Sequence, residues 1–356
     1  MITTGRKTIL EISNNRRQEI KESVYDTLTN YGTPTLPVKI GSIIRNIPYI
    51  KLITYSSQIR KHNITYNELI LDAETKDSYA VRQGSSGRYC IYYNDIDRNI
   101  VNSNRVRWNL AHELGHVILK HHEMTGLEKL YRDGLDDETY SYFEEEANYF
   151  AQLILVPHSP LLGFNIQASN HIKILCKISG PASRKRFFEF MEWKKHVDEN
   201  DEYDKRIFYY YFNFVFKREC KNCGIGIIQR YGKYCPICGD KNTLQWGDGD
   251  KMKYPLLETY ETGKLKECPI CKNEETDING DYCQICGSYI VNRCTNEECN
   301  NTKILPSNAR FCPICGDNSV FYNVGLLKSW NHDEINVQKN SYFLIPEGID
   351  EELPFN

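Results

Sequence analysis

The chain has 356 residues, with 44 Lys+Arg against 47 Asp+Glu and a formal net charge of −3; that balance gives no global attraction to nucleic acid or to an acidic membrane. The length is enough for two or three domains of about 100–200 residues each, and a hydrophobic fraction of 40% allows an ordinary buried core. The first residues show no apolar run followed by a small-residue cleavage site, and no apolar stretch approaches the roughly 20 residues that span a bilayer, so the sequence predicts a soluble, cytosolic protein.

In chain order, residues 1–195 read as one globular α+β domain. Val38 to Ile47, after Pro37, has the pattern of a short helix, and Tyr49 to Thr54 that of a strand. Tyr79–Arg82 and Tyr89–Tyr93 are rich in aromatic and β-branched residues and flank a Gly/Ser turn, which is a hairpin signature. Tyr89–Tyr93 is either an edge strand able to pair with an extended substrate backbone or a fully paired core strand. Arg105 to His121 has apolar residues at helical spacing, with Ser103 or Asn104 as cap. Tyr140 to Leu155 forms a second helix stopped by Pro157. Ile166 to Trp193 reads as two more helices, broken at Ser179-Gly-Pro181. The acidic stretch 196–206 suits a linker. The aromatic run Ile207–Phe216 reads as a strand anchoring the cysteine-rich half of the chain to this domain.

The chemistry concentrates in Ala111-His-Glu-Leu-Gly-His116. Residues four apart share one helical face, so the rings of His112 and His116 can reach a single metal ion. Glu113 is then placed to act as general base on water polarised by that ion. A catalytic zinc usually takes three protein ligands, so one is missing. The second helix offers Glu144, Glu145 and Glu146. Ala147 and Ala151 mark the face packed on a neighbouring helix, and Glu144 shares it. Glu144 is therefore favoured as third ligand and Glu146 is the runner-up. Asn148, one turn beyond Glu144, can hydrogen-bond a ligating histidine. Gly115 costs helix stability, about 1 kcal/mol against alanine, which close packing beside the metal would explain. His122, Tyr149 and His158 are all candidate donors to a tetrahedral oxyanion. His121, His122 and His158 otherwise read as surface or capping residues, and Cys90 and Cys176 as small buried hydrophobes.

His112-Glu-Leu-Gly-His116 together with Glu144-Glu-Glu-Ala-Asn-Tyr-Phe-Ala-Gln-Leu-Ile-Leu-Val-Pro157 resembles the ImmA/IrrE family of metallo-endopeptidases, over about residues 30–195. The resemblance implies a zincin-like fold with His112, His116 and Glu144 as zinc ligands and Glu113 as base. It further implies site-specific cleavage of a regulatory protein, such as a helix-turn-helix repressor, in a stress, mobile-element or phage-defence circuit.

The resemblance stops before the cysteine-rich half. Twelve of the 14 cysteines fall between Cys220 and Cys315. They form Cys220/Cys223 with Cys235/Cys238, Cys268/Cys271 with Cys283/Cys286, and Cys294/Cys299 with Cys312/Cys315. Close thiolate pairs in a reducing compartment read as metal ligands, and each set matches one structural zinc, although Cys283/Cys286 could instead pair with Cys294/Cys299. The unit aromatic-Cys-x-Ile-Cys-Gly occurs three times, at residues 234–239, 282–287 and 311–316, which implies three similar modules. The predicted architecture is thus an α+β zincin-like metallopeptidase domain with its HExxH helix, followed by zinc ribbons at 207–250, 251–288 and 289–330 and a tail at 331–356, with one catalytic and three structural Zn2+. Residues 207–330 carry 15 Lys+Arg and 14 Asp+Glu; three tetrathiolate zinc sites bring this to about −5. That sign favours a protein partner at the ribbons over nucleic acid, against which stands a local basic strip of Arg293, Lys303 and Arg310. Two rivals to the peptidase remain. One is a non-enzymatic regulator built on this scaffold, and the other a DNA-binding protein using the helices between Ile166 and Trp193.

Overall fold

The computed structural model describes residues 12–101, 104–130, 135–197, 201–250 and 257–331. Ser103 and the tail beyond residue 331 therefore lie outside the described residues. The chain divides into two compact units on either side of the Val215–Phe216 bond.

The first unit opens with α1 (Asn14–Tyr31), whose first turn is held by the Ser13 side chain accepting the Arg16 N–H. This removes one of the unpaired donors at a helix start. Ile20, Val24 and Leu28, four residues apart, form its buried face. Then come α2 (Ile40–Asn46), β1 (Ile50–Thr54), α3 (Tyr55–His62) and α4 (Tyr66–Ala73), the last begun by a capping box between Thr65 and Glu68. The strands β2 (Ser78–Arg82) and β3 (Tyr89–Tyr93) come next. Short α5 (Arg98–Val101) leads into α6 (Arg105–Ile118), α7 (His121–Thr125) and α8 (Asp137–Leu155). Then α9 (His158–Leu161), α10 (Ser169–Cys176), α11 (Gly180–His196), α12 (Glu202–Tyr210) and α13 (Phe212–Phe216) complete the run.

The three-stranded sheet has the order β1-β3-β2, with β1 parallel and β2 antiparallel to β3. Tyr89–Tyr93 is therefore the central, fully paired strand, and Cys90, Ile91 and Tyr93 are buried in it. β1 and β2 are the two edges. At the end of β2, the Arg82 N–H donates to Glu128 O (2.7 Å) and Val81 bridges to Lys129.

The central packing is α6 against α8. Leu110, Ala111 and Leu114 meet Ala147, Phe150 and Ile154, all without solvent exposure. A methyl group on Gly115 would lie 3.1 Å from Ala147 Cα and 3.2 Å from Ala147 O. The glycine is thus where the two helix backbones approach, as its cost to helix stability suggested.

Of the stretch expected as a linker and an aromatic strand, the described residues from Glu202 to Phe216 are largely helical instead. Its Tyr203, Ile207, Tyr211 and Phe214 are buried. Their spacing of four, four and three makes one apolar helical stripe, so α12 and most of α13 belong to the first unit and the cysteine-rich unit starts at Phe216.

The second unit has little regular structure. β4 (Lys217–Cys220), β5 (Gly226–Ile228) and β6 (Leu244–Trp246) form an antiparallel sheet in the order β5-β4-β6. One turn of helix, α14 (Val320–Asn323), comes much later. Its small cores include the cysteines themselves: Cys220 and Cys235 with Ile225 and Ile237, then Cys268 and Cys283 with Ile290 and Val291.

Candidate active site

His112 and His116 stand one turn apart on α6, and Glu144 projects from α8 toward both. The two Nε2 atoms are 3.1 Å apart, and the Glu144 carboxylate oxygens lie 3.4 Å from His112 Nε2 and 3.3 Å from His116 Nε2. A tetrahedral zinc with bonds of about 2.0–2.1 Å needs ligand-to-ligand edges of about 3.3–3.4 Å. The two nitrogens and the carboxylate converge close to that spacing, so the donor set fits such an ion. Glu145 is exposed. Glu146 is fully buried but faces away from this triangle, toward Arg16 and His121. The runner-up is thereby set aside: the three neighbouring glutamates point, in turn, to the histidines, to solvent and to the core.

The hydrogen bonds behind the triangle fix which ring nitrogens are free. His112 Nδ1 lies 3.1 Å from Asn148 Oδ1; the amide oxygen can only accept, so the proton sits on Nδ1 and the Nε2 lone pair faces Glu144. Behind His116 runs a longer chain. The Arg16 guanidinium donates to both Glu146 oxygens, at 2.7 and 2.8 Å. His121 Nε2 donates to Glu146 (2.9 Å) and its Nδ1 accepts from His116 Nδ1 (2.9 Å). Every group in the chain is satisfied with His121 and His116 neutral, which leaves the His116 Nε2 lone pair open. Burial also keeps both of these rings below the ordinary histidine range, His116 down to about 3.

Glu113 comes directly after His112 and lines the same cleft, of about 620 Å³, with Ser78, Trp108, His122 and Tyr140. Desolvation raises its carboxyl above the ordinary value, while the neighbouring His112 ring, the Ser78 hydroxyl (3.1 Å) and the Ala80 N–H pull the other way. Ser78 escapes sequence reasoning because a serine at the start of a strand carries no distinctive signal. Tyr140 could have been found, since it stands four residues before Glu144 on α8 and so shares its face.

Of the three suggested oxyanion donors, only His122 lines the cleft. Tyr149 lies under the Arg17 guanidinium, and His158 between Phe190 and Trp193. His121 and His122 are buried and not surface residues. Cys90 and Cys176 are buried, as expected, and burial pushes the Cys176 thiol up to about 12.

In the second unit each adjacent set of four cysteines comes together: Cys220, Cys223, Cys235 and Cys238; Cys268, Cys271, Cys283 and Cys286; Cys294, Cys299, Cys312 and Cys315. The alternative pairing between the second and third sets does not occur. Sulfur–sulfur distances run from 3.4 to 3.8 Å. A tetrahedron with Zn–S bonds of about 2.3 Å has edges of about 3.8 Å, whereas a disulfide needs about 2.05 Å. These are zinc-ribbon-like modules. The basic strip does not form: Arg293 pairs with Asp281, and Arg310 is buried with its guanidinium on the Lys328 and Asn308 carbonyls.

Fold and site together define a metallopeptidase domain joined to tetracysteine zinc-binding modules. The comparison with known families agrees: residues 59–174 match the model of peptidase family M78, the IrrE N-terminal-like domain. No curated protein matches the chain.

Proposed function

We propose that the protein is a zinc-dependent endopeptidase that cleaves one or a few regulatory proteins, a helix-turn-helix repressor being the substrate class the ImmA/IrrE resemblance suggests. The observation that carries the reading is the convergence of His112, His116 and Glu144 at tetrahedral spacing beside Glu113. Zinc held by these three would supply Lewis-acid polarisation of the scissile carbonyl and of water. Glu113, raised by desolvation and steadied by Ser78, takes the proton from the attacking water and returns it to the leaving nitrogen. His122 also lines the cleft; burial lowers it to about 4, so it is neutral at working pH, and with its Nε2–H directed at the Ala80 carbonyl (3.4 Å) its Nδ1 is an acceptor facing the site. The Ser78–Ala80 end of β2, beside Glu113 in the cleft wall, offers an extended backbone against which a substrate segment can lie.

Glu113→Gln tests this most directly. The variant keeps its zinc content and its fold, while cleavage of a repressor encoded beside the gene falls by about 10²–10⁴-fold. Cleavage at the parental rate would remove Glu113 from the mechanism.

A further inference from the structure

The first and third ribbons meet through the same seven-residue knuckle, used reciprocally. The N–H groups of Lys233 and Tyr234 both donate to Pro313 O, at 2.9 and 3.1 Å, and those of Arg310 and Phe311 both donate to Pro236 O, at 2.8 and 3.0 Å. The ring contacts repeat the exchange. A Cβ on Gly316 would lie 2.6 Å from the Tyr234 ring, and one on Gly239 2.9 Å from the Phe311 ring. Each knuckle thus offers two adjacent amide donors, one carbonyl acceptor, an aromatic ring and a bare glycine to receive a ring. Such a surface is complementary to itself, and two copies of it meet about a local twofold axis.

The second ribbon carries the whole set: Asp281, Tyr282, the Gln284 carbonyl and Gly287. The contacts are to main chain, so glutamine in place of proline leaves the acceptor intact. This copy is uncovered. The amides of Asp281 and Tyr282 and the carbonyl of Gln284 have no hydrogen-bond partner among the described residues. A Cβ on Gly287 would meet no atom within 4 Å. Ile285 is 73% exposed, against 1% for its counterpart Ile237 and 39% for Ile314. The ribbon is held to the third by a different face, through Leu265 against Val320 and Phe321.

We propose that the knuckle of the second ribbon, residues 281–287, is a self-association surface that joins two copies of this chain about a twofold axis, in the manner of the first and third ribbons. The Asp281 carboxylate is paired with Arg293 (2.5 Å), so bringing two copies together does not oppose bare like charges. In the dimer each Tyr282 ring covers the other copy's Gly287, and each Gln284 carbonyl accepts two amides from the opposite strand.

Sedimentation velocity of the zinc-loaded full chain over a wide concentration range tests this. A concentration-dependent dimer is expected, and Ile285→Glu or Tyr282→Ala should weaken it by more than about tenfold in dissociation constant without changing the zinc content. A parent chain that stays monomeric throughout, or a dimer indifferent to both substitutions, would overturn the proposal. Hydrogen exchange of the unmutated protein gives a reading independent of how the variants fold. The Asp281 and Tyr282 amides should exchange more slowly in concentrated than in dilute solution, and equal rates would count against the contact.

Discussion

His121 shows how a residue outside the proposed ligand triangle can decide its chemistry. Its Nδ1 is the acceptor that holds the His116 proton on Nδ1, and Glu146 with Arg16 fixes the His121 tautomer in turn. The ring stacks on Phe143 at 4.2 Å, so His121→Phe preserves shape while removing the acceptor, and Glu146 keeps both bonds from Arg16. Zinc affinity of the peptidase site should fall by about 10–100-fold, as read by competition with a chromophoric chelator; unchanged affinity would mean the chain behind His116 has no part in holding the metal. None of this was legible in the sequence, because Arg16 stands 130 positions from Glu146 and no local pattern links them. The positions of Glu144 and Asn148 beside the two histidines were legible, since Glu144 shares a helical face with Ala147 and Ala151 and Asn148 lies one turn beyond Glu144. A second prediction at this scale concerns His158, packed between Phe190 and Trp193 and not among the residues that line the cleft. Burial, aided by the charge of Arg186, depresses it to about 4 from 6.5. The unfolded chain therefore binds the extra proton more readily between those values, and stability rises with pH across the window and is lost as pH falls from 6.5 toward 4. His158→Phe should flatten that part of the urea-midpoint profile; a slope equal to the parent's would assign the pH dependence elsewhere.

At the scale of elements, the site depends on how closely α6 and α8 approach. Gly115 allows it, because any side chain there meets the α8 backbone at Ala147 and not a movable side-chain tip. Gly115→Val must push α8 outward, at a cost of about 1–3 kcal/mol for overpacking, and the displacement carries Glu144 away from His112 and His116. Both the denaturation midpoint and zinc retention at this site should drop together; loss of stability with zinc binding intact would separate packing from ligand placement. These two helices were readable from periodicity because their burial pattern is local. Strand order was not: β3 is central only because the remote β1 pairs with it in parallel, and no feature of Tyr89–Tyr93 alone distinguishes a centre from an edge. The run from Tyr203 to Phe216 departs from expectation for another reason. Its aromatic composition suggests a strand, while its spacing is that of a helix, and spacing prevailed because it aligns Tyr203, Ile207, Tyr211 and Phe214 on one buried stripe.

For the molecule as a whole, the two units differ in what holds them together. The first buries a continuous set of aliphatic and aromatic side chains, including Leu28, Ile91, Leu114, Phe150 and Ile154, each contributing about 1.5–3 kcal/mol on burial. The residues proposed as its metal ligands lie on α6 and α8, which pack on each other through apolar side chains. The second has short strands, one turn of helix and cores in which cysteines stand beside isoleucines and valines. If the four sulfurs of such a core lose their ion, thiolates that had been paired with a cation must either protonate or repel one another. A structural zinc supplies about 10–16 kcal/mol of apparent binding free energy to a small domain of this kind, which is as large as the whole stability of an ordinary domain. Exhaustive chelation should therefore unfold the second unit and leave the first folded but inactive. Limited proteolysis with mass spectrometry reads this: cuts should cluster between Phe216 and Asn331 after chelation, with the fragment ending near Val215 surviving, and readdition of about four equivalents of zinc per chain should restore both resistance and activity. Proteolysis spread evenly over both units would show instead that the first also depends on its ion to stay folded.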